Sequence, residues 1–145
     1  MFNTILAACD GSAQSEGALK KAIELARLSG AKLLILTVYR HHSMIEASLS
    51  MVQGTKHATP DQALQENATQ IADAARAIAV QGGLAEVRAF VRSGQPTRAI
   101  VEFARKHEAD LIVLGSRGAG SVDGYFLGSV SHKVTGLSPI PVLVV

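Results

Sequence analysis

Two glycine-containing segments in the last third of the chain carry the clearest chemical signal in the sequence. The first, Gly115-Ser116-Arg117-Gly118, follows the apolar run 111–114, whose length and branched side chains predict a buried strand. The second, Gly128-Ser129-Val130-Ser131, comes nine residues later and predicts the first turn of a helix. Glycines let backbone N–H groups approach a ligand, and a helix N-terminus adds unpaired donors and partial positive charge. A strand, a glycine loop and a helix in this order predict a phosphate site.

The spacing by itself also fits a loop with no ligand. Glycine-rich connections between strands and helices are common, and Ser129 or Ser131 could simply cap the helix rather than donate to a phosphate oxygen. A Walker loop is excluded, because it needs a Gly-Lys pair and the chain contains none. A dinucleotide fingerprint is excluded too, because Asp123 stands where its third glycine would be required.

Composition limits the classes of protein that this chain can belong to. Its 145 residues are 48% apolar and only 4% aromatic, which predicts one domain, residues 1–145, with an aliphatic core. The net charge is +2, and the sequence shows no basic stripe or aromatic platform, so no nucleic acid partner is expected. We find neither a signal pattern nor an apolar run of membrane-spanning length, and Cys9 has no disulfide partner in the chain. These features predict a cytoplasmic protein with no membrane partner.

Apolar periodicity predicts alternating strands and helices. The predicted strands are 4–9, 32–39, 85–91, 111–114 and 142–145, and the predicted helices run from Ser12 or Ser15 to Gly30, from Pro60 to Gly82, from Pro96 onward, and from Gly128 to near Gly136. Residues 40–59 carry no firm period and are expected to be a lid, a binding loop or disordered. Strictly alternating elements predict an α/β fold, an open five-stranded parallel sheet with helices on both faces. Ligands of such sheets bind at the carboxyl ends of the strands, where the winding direction reverses.

The glycine spacing resembles the ATP-binding signature of the universal stress protein family, Gly-2x-Gly-9x-Gly-Ser/Thr, at every specified position. Segments 3–12, 110–118 and 141–145 are similar to that family's first strand and acidic turn, its fourth strand and loop, and its closing strand. The resemblance implies an adenine nucleotide alpha hydrolase-like sheet with strand order 3-2-1-4-5. That order would bring Asp10 beside Gly115.

The resemblance also implies a set of residues that hold ATP with Mg²⁺. These residues are Ala8, Asp10, Val38, Gly115, Arg117, Gly118, Gly128, Ser129, Val130 and Ser131. Asp10 would hold ribose hydroxyls or Mg²⁺, and its alternative role is to form the turn after the first strand. Backbone groups near Val38 would contact the adenine, where the small Ala7 and Ala8 leave room. Arg117 could reach a phosphate or could remain solvated.

The sequence therefore predicts a nucleotide-dependent stress-response regulator with slow or no ATP hydrolysis. No catalytic residue is predicted, because no side chain is evidently placed to activate water and the Walker lysine is missing. The alternative is an interaction module of the same fold that binds no nucleotide. An adenylating or pyrophosphatase enzyme would need a Ser-Gly-Gly-x-Asp-Ser loop, which Asp10-Gly11-Ser12 does not supply.

Two further expectations concern the end of the chain and its histidines. The apolar strand 142–145 would be an uncovered edge, so a homodimer through this strand is expected, as the resemblance also implies. The adjacent His41-His42 pair has no cysteine or acidic cluster to complete a transition-metal site. Asp123 is acidic where related loops often carry basic or apolar residues, which could weaken triphosphate binding.

Overall fold

The computed structural model describes residues 1–41, 60–117 and 127–145. Gly118 and Asp123 lie outside the described residues. So do residues 42–59 of the segment 40–59, which is expected to be a lid, a binding loop or disordered. The strands are β1 (Thr4–Ala8), β2 (Lys32–Tyr39), β3 (Val87–Ser93), β4 (Leu111–Leu114) and β5 (Val142–Val144). The helices are α1 (Ala13–Ser29), α2 (Pro60–Gln81), α3 (Pro96–Lys106) and α4 (Ser129–Leu137).

The five strands form one parallel sheet in the order β3-β2-β1-β4-β5, which confirms the predicted topology. Side chains alternate along each strand, so each of the central strands supplies both faces with aliphatic residues. One face packs against α1 and α2 through Ile5, Leu33, Ile35 and their neighbours. The other face packs against α3 and α4 through Leu6, Leu36 and the residues around them. No helix in the described ranges is long and apolar enough to cross a membrane.

Local signals in the sequence set most helix ends. Ser12 caps α1 by accepting a hydrogen bond from the Ser15 N–H, and α1 ends at Gly30 in the left-handed conformation (φ 69°). Pro96 begins α3, where its missing N–H costs nothing, and the Gln95 side chain accepts from the Arg98 N–H at 2.7 Å.

The end of α4 and the position of β3 differ slightly from the prediction. Helix α4 passes through Gly136 and ends at Leu137, because Pro139 follows and the Ser138 N–H still bonds to Val134 O at 2.9 Å. β3 begins and ends two residues later than expected. It does form an edge of the sheet, as predicted, with its inner side paired to β2.

Candidate functional site

A cavity of about 420 Å³ lies at the carboxyl ends of the strands, where β1 separates β2 from β4. Every predicted site residue within the described ranges lines this cavity, namely Ala8, Asp10, Val38, Gly115, Arg117, Gly128, Ser129, Val130 and Ser131. Parallel pairing explains why these residues lie together. Ala7 of β1 pairs with Val113 of β4, so both strands end at the same edge of the sheet. The order of the strands thus places the segment after β1 beside the segment after β4.

The cavity has one apolar wall and one polar wall. Leu36 and Val38 at the end of β2, with Pro96 and Ile100 of α3, form the apolar wall. The polar wall comes from the turn after β1, the connection after β4 and the first turn of α4. Such a cavity suits a ligand with a flat apolar part and a strongly polar part.

The turn after β1 closes on itself through its own side chains. The Ser12 N–H donates to Asp10 Oδ1 at 2.9 Å, and the Ser15 N–H donates to Ser12 Oγ at 3.2 Å. The Ser15 hydroxyl donates to Ser12 O at 3.0 Å, and Ser15 is buried. The turn-forming role considered for Asp10 is therefore present, while the cap of α1 is Ser12.

Gly115 is needed for packing at the end of β4. A Cβ atom at this position would lie 2.8 Å from Gln14 C and 2.9 Å from Gln14 O, both backbone atoms of α1. This separation is too short for any side chain, so the first turn of α1 can approach β4 only over a glycine. The sequence predicts Gly115 as a nucleotide-binding residue, and the structure adds a steric reason for a glycine at this position.

Hydrogen bonds fix the two ends of the connection between β4 and α4. The Ser116 N–H donates to Val145 O at 2.7 Å, and the Gly128 N–H donates to Ser116 O at 2.6 Å. The buried Ser131 hydroxyl donates to Gly115 O at 2.6 Å. We had expected the Ser131 hydroxyl to donate to a phosphate, but in this structure its proton is engaged by the carbonyl of Gly115.

The N-terminus of α4 is not capped by a side chain. Gly128 occupies the cap position, and the His132 N–H makes the hydrogen bond to Gly128 O at 2.9 Å. The N–H groups of Ser129, Val130 and Ser131 therefore have no partner within the helix. The first turn carries no acidic residue, so its partial positive charge is not offset there. These donors belong to residues that line the cavity, which makes this wall suited to an anion.

Sequence reasoning missed several lining residues, namely Cys9, Ser15, Leu36, Arg40, Pro96, Ile100 and Leu114. Strand alternation could have found Leu36, because it lies two residues before Val38 on β2, whereas Arg40 follows the last residue of that strand. The expectation that Ala7 borders the cavity with Ala8 is wrong. Ala7 faces the opposite side of the sheet and is buried with the residues that pack against α1. Burial and the neighbouring Asp10 raise the pKa of the Cys9 thiol to about 12, so this lining group is neutral.

Metal ligands are sparse in the part of the chain that the structure describes. It contains no group of three or more His, Cys, Asp or Glu side chains that could hold a metal ion. Asp10 is the one carboxylate among the described lining residues, and the exposed His132 is not part of the lining. A metal ion in this cavity would therefore need most of its ligands from a bound phosphate and water.

Comparison with known proteins gives a consistent result. The chain is 36% identical over 148 residues to universal stress protein YxiE of Bacillus subtilis (strain 168), covering 100% of this chain and 99% of that protein. Its fold is similar to that of a universal stress protein from Lactobacillus plantarum, with a TM-score of 0.82, 24% identity, and coverage of 99% of this chain and 97% of that one. It is also similar to a universal stress protein solved in complex with cAMP, with a TM-score of 0.71, 28% identity, and coverage of 99% and 96%.

Residues 1–145 match the universal stress protein family. The strand order, the cavity at its reversal point and these similarities agree, and the chain belongs to the universal stress protein family.

Proposed function

We propose that this protein is a nucleotide-dependent stress-response regulator that binds ATP in the cavity between β1 and β4. The observation that carries the proposal is the uncapped N-terminus of α4 facing a cavity whose opposite wall is apolar. A polyphosphate and a purine base require these two kinds of wall. A related protein of the same fold has been solved with cAMP, which supports an adenine nucleotide as the ligand class.

The phosphates would lie against the start of α4. The N–H groups of Ser129, Val130 and Ser131 can donate to phosphate oxygens, and the Ser129 hydroxyl can add another donor. Each helix-end contact contributes about 0.3–1 kcal/mol, so several must act together. Arg117, which lines the same cavity, would add a positive charge beside the phosphates, and Gly118 belongs to the same signature.

The base would lie against Leu36, Val38 and Ile100, with Ala8 leaving room beside it. Asp10 would hold the ribose hydroxyls or share Mg²⁺ with the phosphates. One carboxylate is enough for this sharing, because Mg²⁺ in nucleotide complexes takes most of its ligands from phosphate and water. Asp10 accepts the Ser12 N–H through Oδ1, so its carboxylate is already oriented.

We propose slow or absent hydrolysis. Among the described residues, those that line the cavity include no lysine for the transferring phosphoryl group. Asp10 is the one carboxylate among these described lining residues, and it accepts the Ser12 N–H in the turn. The ligand would act by occupancy, which is the behaviour of a sensor.

Isothermal titration with ATP and Mg²⁺ tests the proposal on the wild-type protein. Saturable heat with one site per chain is expected at micromolar protein. The variant Gly128→Asp should abolish it, because an aspartate at the cap satisfies the helix and repels phosphate. Gly128 has extended backbone angles (φ −61°, ψ 157°) that aspartate can adopt. Gly17→Asp adds the same charge at a helix position where the new Cβ would meet no other part of the protein within 4 Å beyond its own stretch of α1, and it should bind like wild type.

No saturable heat in the wild-type protein would contradict ATP binding and favour the alternative, a dimeric interaction module of the same fold. Equal binding by the Gly128→Asp variant would mean that the nucleotide lies elsewhere. Replacing ATP with ADP, AMP and cAMP in the same titration would identify the preferred nucleotide. Release of pyrophosphate or rapid release of phosphate would contradict the sensor role.

We also propose that the chain forms a homodimer through β5. This strand is the second edge of the sheet, and it presents Val142, Leu143 and Val144 with no charged residue. Among the described residues no strand pairs with its outer side. Light scattering should give twice the chain mass of 15.2 kDa. A monomeric mass at micromolar concentration would contradict this assembly.

A further inference from the structure

β3 forms the other edge of the sheet, and the direction of its backbone groups follows from its pairing. The Leu33 N–H donates to Glu86 O at 3.0 Å, and the Gly94 N–H donates to Tyr39 O at 2.9 Å. In a parallel ladder the N–H and C=O of one residue point to the same side, and the side alternates along the strand. Even-numbered residues of β3 therefore bond to β2. The backbone groups of the odd-numbered residues 87, 89, 91 and 93 point away from the sheet.

Two arginine side chains lie on one face of this edge strand. Arg88, Phe90 and Arg92 share one face of β3, and the Arg88 and Arg92 guanidinium carbons lie 5.1 and 5.5 Å from the centre of the Phe90 ring. Arg92 is also 5.5 Å from the Phe103 ring, and its Nη1 donates to Val91 O at 2.9 Å. Neither arginine forms an ion pair with a carboxylate of the described residues.

His107 lies beside the same two phenylalanine rings and close enough to the arginines to feel their charge. Its ring stacks on Phe103 with centroids 4.0 Å apart, and its buried Nε2 has no hydrogen-bond partner in the described part of the chain. Its pKa is lowered by burial and by four cations, Lys106, Arg92, Arg88 and Lys32. We define the β3 cationic edge as Arg88, Phe90 and Arg92 with the outward backbone groups of β3. The sequence had shown no basic stripe, because these cations are brought together only by the fold.

We propose that the β3 cationic edge is a docking surface for an extended acidic segment of a partner protein. The segment would add a strand to β3 through the outward N–H groups of residues 87, 89, 91 and 93 and the outward carbonyls of residues 87, 89 and 93. The Val91 carbonyl would become available when Arg92, which donates to it, turns to a carboxylate of the segment. Carboxylates four residues apart in the segment would then pair with Arg88 and Arg92, and the side chain midway between them would lie opposite Phe90, since side chains on one face of a strand repeat every two residues.

The charges favour this occupant over two others. A second copy of β3 would place arginines opposite arginines, which is unfavourable across a strand pair. A single-stranded nucleic acid needs open ring faces for its bases, whereas Phe90 is already surrounded by two guanidinium groups and Phe103. The arginines are also held over the rings, so little side-chain entropy remains to be lost on binding.

Fluorescence anisotropy with a labelled peptide of alternating Glu and Thr tests this proposal without reference to nucleotide. Saturable binding to the wild-type protein is expected. A peptide of the same sequence, N-methylated at alternate residues, should bind at least tenfold more weakly, because it cannot form the strand ladder. Hydrogen exchange should show new protection at Ala89 and Val91 when the unmethylated peptide is bound.

The variant Arg88→Glu/Arg92→Glu should weaken binding more than tenfold, and Arg88→Gln/Arg92→Gln should weaken it less. Arg27→Glu/Lys133→Glu makes the same change in net charge on α1 and α4, and it should bind like wild type. The proposal would be overturned if the wild-type protein did not bind the peptide, or if both peptides bound equally well. It would also be overturned if the control variant lost as much affinity, or if oligo(dT) bound more tightly than the peptide. Failure of ATP binding would leave this proposal standing, since the two surfaces share no residue.

Discussion

The turn after β1 and the connection after β4 both lead into a helix beside the same cavity, but they differ in how the helix N-terminus is satisfied. The turn, residues 9–12, is four residues long, and Ser12 caps α1 from within it. The connection after β4 leads to Gly128, which has no side chain, and α4 begins without a side-chain cap. The two helices pack on opposite faces of the sheet, and their N-termini thus present opposite properties to the cavity. One is closed by its own sequence, and the other keeps donors for an acceptor that is not part of the helix.

The comparison explains why glycine and serine have different roles at the two places. In the turn, Ser12 and Ser15 satisfy the backbone around them. After β4, Ser131 satisfies the carbonyl of Gly115, which holds the connection in position and leaves the N–H groups of α4 for an acceptor outside the helix. The first arrangement satisfies the start of its helix, and the second leaves the N–H donors of its helix open to the cavity.

Gly115→Ala should have the largest effect, because it removes the close packing on which both connections depend. Its Cβ would meet the Gln14 backbone at 2.8 Å, so α1 or β4 must shift. We expect the free energy of unfolding to fall by about 3 kcal/mol. Urea denaturation measures this loss, and Gly17→Ala is the control. Gly17 lies in α1 with nothing within 4 Å of its new Cβ, so this change should leave stability unchanged or raise it. Equal stability of the Gly115→Ala variant would contradict the steric argument.

Ser131→Ala should affect the connection after β4 alone. It leaves the carbonyl of Gly115 without the Ser131 hydroxyl, at a cost of about 2 kcal/mol, and nucleotide affinity should fall as well. Thermal denaturation and titration with ATP measure the two effects. Thr135→Ala removes a hydroxyl that donates to His132 O at 2.7 Å on the exposed side of the same helix, and it should change neither. If the two variants behave alike, the bond to Gly115 has no special role.

Ser12→Ala should affect the turn after β1 alone. Loss of the cap should cost about 1 kcal/mol of unfolding free energy, with little change in nucleotide affinity. Ser12→Asp keeps an acceptor at the cap and should retain most of the stability. If the Ser12→Ala variant were fully folded and still lost much of its nucleotide affinity, the turn after β1 and the connection after β4 would not be independent.

Cys9 gives the smallest and most local effect. Burial, with the charge of Asp10, raises the pKa of its thiol to about 12, so a thiol reagent at pH 8 should label it only slowly in the folded protein. The raised pKa also links stability to pH. Its contribution is fully present below pH 9, the ordinary value for this thiol, and is lost as the pH rises toward 12. Cys9→Ala should lack this part of the alkaline decline. Rapid labelling at pH 8 would show that the thiol is not buried between β1 and the cavity.

Periodicity and turn chemistry were enough to predict most of the architecture. The apolar runs of β1, β2 and β4, the left-handed cap at Gly30 and the proline that begins α3 are local features, and the structure confirms them. Where local signals compete, the prediction was less accurate. Helix α4 ends at Leu137, one residue past Gly136, because the Ser138 N–H still bonds to Val134 O. The predicted range of β3 began and ended two residues too early, because the range of this strand is set by its pairing with β2 rather than by its own apolar pattern.

Contacts between distant segments could not be predicted in this way. The sequence determined which residues are glycine, serine or arginine, and through short-range hydrogen bonding and apolar spacing it determined where the strands and helices form. Only the tertiary structure decided that Gly115 lies against α1, that the Ser131 hydroxyl bonds to Gly115, that Ala7 faces away from the cavity, and that Arg88 and Arg92 meet over Phe90. The physical reason is that steric contact, hydrogen bonding and charge act over a few ångströms in space, and the packing of the whole sheet decides which residues come that close.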